Sequence, residues 1–233
     1  MTGSVVGRRL VGVLGEMGIH PTQRLSGIGR RGLAYLAIKG PIVNRMLMSA
    51  DLWPDLVETR ARANLRRVLW QLPREWVSAT GWDLRLNAEV DLQAAKTVAE
   101  NALSGALLDG SELNLLSNDL LPGWYDEWLV SEQEQFHLRR IQALEEASRT
   151  ATRQGIFGLA ARAGLSAVCA EPLRESAVTA LIHAHLGEGN RFEAVRRYRS
   201  YTALLQRELS VEPGDCLTEL IAPFLNGGRN GSG

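Results

Sequence analysis

The sequence predicts a mainly α protein. An N-terminal winged helix-turn-helix with small β elements precedes an all-α domain of helical repeats. Three observations carry this. The net charge of zero divides at residue 90 into two opposite halves. The order of elements before that point is helix, helix, helix, hairpin. After it every apolar pattern has a helical period, and part of it repeats every 34 residues. The expected domains are therefore 1–90 and 91–225, followed by a flexible glycine-rich tail, 226–233.

Composition bounds the function. Lys plus Arg equals Asp plus Glu at 26 each, and 45% of residues are hydrophobic, as in an ordinary globular protein. Residues 1–90 hold 13 basic and 7 acidic residues, a net of +6, and the remainder holds 13 and 19, a net of −6. Such asymmetry points to a nucleic-acid-facing module beside an acidic one. No apolar run reaches the roughly 18 residues of a membrane span, and the N-terminus has no pattern of a secretory leader. The two cysteines, Cys169 and Cys216, have no metal-ligand spacing. A cytoplasmic protein without membrane contact is expected.

The elements of the first part follow in order. Arg9 to Met17 alternates loosely as one strand, weakened by Gly12 and Gly15, before a turn at His20-Pro21. A first helix begins near Gly29, with Leu33, Leu36 and Ala37 on one face, and stops at Gly40-Pro41. Asn44 caps a second helix, Arg45 to Leu52, ended by Trp53-Pro54-Asp55. Thr59 caps a third, which runs to about Leu72. Trp76 to Ala79 and Asp83 to Leu86 then form a hairpin around Thr80-Gly81-Trp82.

The third helix carries the sharpest signal. Ala61, Leu65, Val68 and Leu72 fall at spacings of four, three and four, which makes one buried stripe. Thr59, Ala63, Arg66, Arg67 and Trp70 point away from it, with Arg60 and Asn64 on one flank and Arg62 on the other. No acid falls within the expected helix. Arg pairs bidentately with guanine and Asn with adenine, while a Thr methyl touches thymine, so this face suits a major groove. Ala63 adds no bulk at its centre. Thr80, Gly81 and Trp82 at the hairpin tip, with Arg85 on the returning strand, form the expected wing. Arg30, Arg31 and Arg45, early in the first two helices, are candidate phosphate contacts.

Beyond residue 91, Leu92 to Leu103 and Trp124 to Thr152 read as helices, separated by a loop-rich stretch with at most one short helix. Three or four more follow, punctuated at Gln154-Gly155, Glu171-Pro172, Glu188-Gly189-Asn190 and Glu212-Pro213-Gly214. Gly155 and Gly189 are 34 apart, as are Ala160 and Ala194, and Ala167 and Tyr201, with Pro172 and Pro213 closing the two units. This spacing resembles an irregular tetratricopeptide (TPR-like) repeat.

Other polar residues assemble no chemistry. His183 and His185 are two apart on a helix and cannot chelate together. Glu132, Glu134, Glu145 and Glu146 read as solvated, Cys169 as core, and Trp124, Trp128 and Phe136 as packing residues. No Ser-His-Asp set, P-loop or dinucleotide glycine pattern appears. An enzyme, a metal site and a cofactor are not expected.

The first ninety residues resemble the OmpR/PhoB-type winged helix, through Leu52-Trp53-Pro54-Asp55 and Arg62-Ala63-Asn64-Leu65-Arg66. The second half resembles the bacterial transcriptional activator domain. The strings are Asp119 to Trp128 (DLLPGWYDEW), Glu171 to Ala177 (EPLRESA), Ala184 to Asn190 (AHLGEGN), and Arg207-Glu208-Leu209 to Glu212-Pro213. The combination is similar to the actinobacterial antibiotic regulatory protein group. It implies a sequence-specific regulator, usually an activator, that binds direct DNA repeats near a promoter and contacts RNA polymerase. Direct repeats imply a second protomer on DNA, and the segment Trp53 to Glu58 is the one that often faces polymerase. No receiver, nucleotide-binding module or forkhead-associated domain is expected, so an input signal would act on the repeats or through protein level. The competing expectation is a TPR-like protein-interaction scaffold that does not bind DNA.

Overall fold

The computed structural model describes residues 8–225, and the expected tail at 226–233 lies outside the described residues. The chain forms two compact units. Among the described residues the first comprises 8–96 with 118–137, and the second 97–117 with 138–225.

In the first unit the expected single strand at the start is two. β1 (Leu10–Gly12) and β2 (Gly18–His20) pair antiparallel, with Leu10 opposite His20. Gly15 adopts φ +78° in the bend between them, a backbone region that glycine enters without steric cost. The first helix, α1 (Gly27–Lys39), starts two residues before Gly29, because Ser26 caps it through the Gly29 N–H. It ends at Gly40 with φ +119°. Its Gly32 faces Val68, where an added Cβ would lie 2.3 Å from Val68 Cγ1.

A strand absent from the sequence reading follows: β3 (Ile42–Asn44). The second helix, α2 (Arg45–Leu52), has the expected bounds, and Asn44 accepts from the Met46 N–H. Next come α3 (Glu58–Gln71), β4 (Val77–Thr80) and β5 (Asp83–Leu86). Strand β5 lies between β3 and β4, antiparallel to both. β6 (Glu89–Val90), also unforeseen, runs parallel to β1 on the edge opposite β2. Strands this short have too little alternation of their own to be read, and partners far along the chain define them.

The segment 118–137 packs with the first unit, which differs from a division at residue 90. The reason is specific bonding. Leu121 N–H donates to Val13 O at 2.9 Å, and Gly15 N–H to Asp119 O at 2.8 Å. Leu120, Leu121 and Leu129 are buried, and Gln133 Nε2 donates to the carbonyls of Leu120 and Leu121. Trp128 stacks obliquely on Tyr35, 4.8 Å between centroids. The first residue of α4 (Asp91–Leu103) closes the same corner, its carboxylate accepting from the Val13 and Leu14 N–H groups.

The remaining helices are α5 (Gly110–Leu116), α6 (Glu127–Arg153), α7 (Phe157–Ala170), α8 (Glu175–Gly187), α9 (Arg191–Leu209) and α10 (Asp215–Leu225). Residues 138–225 of these last five lie in the second unit. Gly155 (φ +74°) makes the α6–α7 turn and Gly189 (φ +83°) the α8–α9 turn. The period of 34 thus places Ala160 and Ala194 at equivalent points of α7 and α9, both fully buried. A Cβ on Gly164 would sit 3.0 Å from Leu181 Cα and 3.1 Å from Ser148 Oγ, so α6, α7 and α8 converge there. Ser148 Oγ donates to Ala160 O at 2.9 Å.

Two readings are corrected in this unit. Glu145 is not solvated. It is 3% exposed, and it accepts from Arg174 Nε and Ser176 Oγ, each at 2.6 Å. The EPLRESA string is thus partly a buried ion-pair connector, with Glu175 also accepting from the Gly214 N–H at 2.8 Å. Cys169 is exposed, because the inward stripe of α7 is Ala160, Ala163, Gly164 and Ala167 and position 169 falls off it.

Candidate nucleic-acid interface

Helix α3 forms because its apolar stripe has somewhere to go. Ala61, Leu65, Val68 and Leu72 are at most 4% exposed, as their spacing requires. Its start differs from the sequence reading. Val57 is the N-cap, without a side-chain hydrogen bond, and Glu58 rather than Thr59 opens the helix. An acid does therefore lie within it. Glu58 favours the free N–H groups of the first turn and pairs with Arg62 one turn on, at 2.5 Å.

Thr59, Arg60, Ala63, Arg66, Arg67 and Trp70 are exposed, Trp70 by 87%, while Arg62 and Asn64 are half-buried. Arg60, Arg66 and Arg67 have no ion-pair partner among the described residues. Arg62 is committed: besides Glu58 it donates to Met46 Sδ at 3.0 Å, and its guanidinium stands 5.6 Å from the Trp82 ring centroid.

The hairpin turn is two residues, Gly81 (φ +59°) and Trp82, with Thr80 inside β4 opposite Asp83. Thr80, Gly81 and Arg85 are exposed. Trp82 is 60% exposed, and its carbonyl accepts from the Arg45 N–H at 2.8 Å, so the turn is pinned to the start of α2. Arg45, Arg62, Arg66 and Trp82 line one cavity of about 220 Å³.

Two earlier arginines separate here. Arg30 is exposed and donates to Met17 O at 3.2 Å. Arg31 pairs with Asp126 in a half-buried ion pair. That contact gives its charge a partner within the first unit.

Sequence reasoning missed Glu58 as a partner for Arg62, although their spacing of four was the available signal. It could not find the seat of Trp82, which depends on a hairpin folding back over α2 and α3. The five-residue connection 53–57 exposes Val57 (66%) and Leu56 (37%), with Leu47 of α2 exposed by 63%. Beside it lies a cavity of about 640 Å³, lined among others by Asp51, Trp53, Glu58 and Trp128. Among the described residues no helix is long and apolar enough to cross a membrane.

The model of the bacterial transcriptional activator domain matches residues 83–225. The chain belongs to that family, a family of bacterial transcriptional regulators. In fold it is similar to the solved structure of Mycobacterium tuberculosis EmbR in complex with a low-affinity phosphopeptide. The TM-score is 0.64 at 22% identity, covering 94% of this chain and 65% of that one. The chain thus spans just under two thirds of that relative. No curated protein matches it at a significant level.

Proposed function

We propose that the chain is a sequence-specific double-stranded DNA-binding regulator, an activator that works near a promoter with RNA polymerase. The single observation that carries this is the exposed face of α3, on which Arg60, Arg66 and Arg67 have no ion-pair partner among the described residues, set on a helix whose other face is core. In this reading α3 enters the major groove. Arg66 and Arg67 make bidentate pairs with guanine, Asn64 reads adenine, and Thr59 offers a methyl to thymine. Ala63 lets the helix approach closely. Arg60, Arg85 and Arg30 contact phosphates, which set affinity and register rather than sequence. Thr80 and Gly81 follow the adjacent backbone. Trp70, at the far end of the exposed face, packs an apolar surface against the sugar edge. The exposed apolar residues Leu47, Leu56 and Val57 form the surface offered to polymerase. A second protomer on a direct repeat belongs to the same reading.

The test is fluorescence anisotropy with promoter DNA recovered by genome-wide mapping. Arg66→Ala and Arg67→Ala are each expected to weaken binding by about 1–3 kcal/mol, with an unchanged far-UV spectrum. Wild-type affinity in both variants would remove these residues from the interface. The second reading, a protein-interaction scaffold, has one observation in its favour. A groove of about 490 Å³ on α6 and α8, lined by Arg149, Arg153 and His183, is a surface that helical repeats use for partners. A pull-down that recovers a protein but no enriched DNA would favour it.

A further inference from the structure

The recess beside the connection 53–57 has a chemistry of its own. Asp51 comes to its wall from α2, Trp53 and Leu56 from the connection, Glu58 from α3, and Glu127 and Trp128 from the start of α6. All belong to the first unit. The volume is about 640 Å³. That falls within the roughly 300–1,000 Å³ of small-molecule sites.

Its charge is one-sided. Three carboxylates stand in the wall, and no Lys, Arg or His does. Glu58 is answered by Arg62. Asp51 accepts from the Tyr35 hydroxyl at 2.5 Å, a donor that carries no charge. The Glu127 carboxylate has no hydrogen-bond or ion-pair partner among the described residues. Two negative charges in one wall are thus left without a cation. Asp51 is half-buried, where salt screens a charge less than on an open surface.

The rest of the wall is largely apolar and aromatic. Tyr35 stacks on Trp128 and its hydroxyl holds Asp51, so one side chain fixes both an indole and a carboxylate. Tryptophan is the aromatic side chain that attracts ammonium groups most strongly. A metal ion does not suit the recess. Among the described residues no three His, Cys, Asp or Glu side chains come together to hold one, and hard cations demand a shell of oxygens. One lysine or arginine side chain of a protein partner would leave most of the volume empty.

We propose that this recess is a binding site for a small organic amine. Asp51 and Glu127 hold its protonated nitrogen, and its apolar body lies against Trp53, Leu56 and Trp128. The proposal does not depend on the DNA-binding reading, and its test uses no DNA.

The test is isothermal titration of the full chain at neutral pH and constant ionic strength. The probes are phenethylamine and the longer phenylbutylamine, with phenethyl alcohol and hydrocinnamate as neutral and anionic counterparts. Saturable binding of an amine is expected, with the alcohol and the acid weaker by about tenfold or more, as the loss of a charge-assisted hydrogen bond requires. Asp51→Asn still accepts from Tyr35, and Glu127→Gln changes an exposed position. Each is expected to weaken the amine about tenfold and to leave the alcohol unchanged. Asp55→Asn alters an exposed acid of the same connection outside the recess, and is expected to leave amine binding unchanged. Glu127→Gln carries the test alone if Asp51→Asn fails to fold. No saturable binding of either amine overturns the proposal. So does equal binding of amine, alcohol and acid, or a loss in Asp55→Asn equal to that in Glu127→Gln.

Discussion

Arginines that look alike in the sequence do different work once folded. Arg66 and Arg67 are exposed with no ion-pair partner among the described residues, Arg62 is held by Glu58 and Trp82, and Arg31 is taken up by Asp126. Position on the helical wheel separates the first two from the stripe, so their exposure was legible. The pair of Arg62 with Glu58 is announced by a spacing of four, whereas the seat of Arg62 beside Trp82 and the pair of Arg31 with Asp126 depend on partners 20 and 95 residues further along, which no local pattern announces. His185 is a similar case. The spacing of His183 and His185 excluded a chelate, but it did not reveal that both ring nitrogens of His185 are buried with no hydrogen-bond partner among the described residues. Burial lowers the His185 pKa below its ordinary value. Glu193 opposes this and Arg197 reinforces it, with smaller effects from Glu188 and Arg196. A folded value below the unfolded one means that the unfolded chain takes up this proton first as pH falls. Stability from this residue is therefore complete above about 6.5 and is lost as pH falls through the lower folded value. His185→Gln is expected to flatten the urea midpoint between pH 7.5 and 5. Identical profiles for the variant and the wild type would contradict this.

Among the elements, helices were read well where a stripe and a cap agree, as in α2 with Asn44 and in the four closing helices with their glycine and proline turns. Strands were read in the hairpin, where β5 has the expected bounds, but β3 and β6 were missed because they exist only by pairing with β5 and β1. The family strings were visible, but their structural work was not. In EPLRESA, Arg174 and Ser176 reach Glu145 across from α6. Removing one partner of a buried pair leaves the other without compensation, a loss of several kcal/mol when both are enclosed. The Arg174 side chain keeps 29% of its exposure and can turn to water. Glu145→Ala is therefore expected to cost about 1–3 kcal/mol, closer to the loss of a charged hydrogen bond. The denaturant midpoint of the purified chain reports it, and an unshifted midpoint would show that the connector contributes nothing to the second unit.

For the whole molecule, the zero net charge divides along the sequence at residue 90 into +6 and −6, but the compact unit of residues 8–96 with 118–137 also takes in Asp91, Lys96 and five acids at 118–137, and nets +1. The fold divides differently, because residues 118–137 bind the first sheet through Leu121 and Asp119. That segment holds the LLPGWYDEW string, so a motif of the activator-domain resemblance is, in space, part of the unit that presents α3. The family match from residue 83 likewise begins inside the hairpin. The central claim is that this unit holds DNA through an arginine face and its flanking basic residues. It is tested most directly by the salt dependence of wild-type binding to a mapped promoter site. The prediction is a straight, steep decline of log K with log salt, of slope about −0.9 for each phosphate neutralised and so several units in all. A binding constant that stays level between about 50 and 200 mM salt, or does not distinguish the promoter from unrelated duplex, would contradict it.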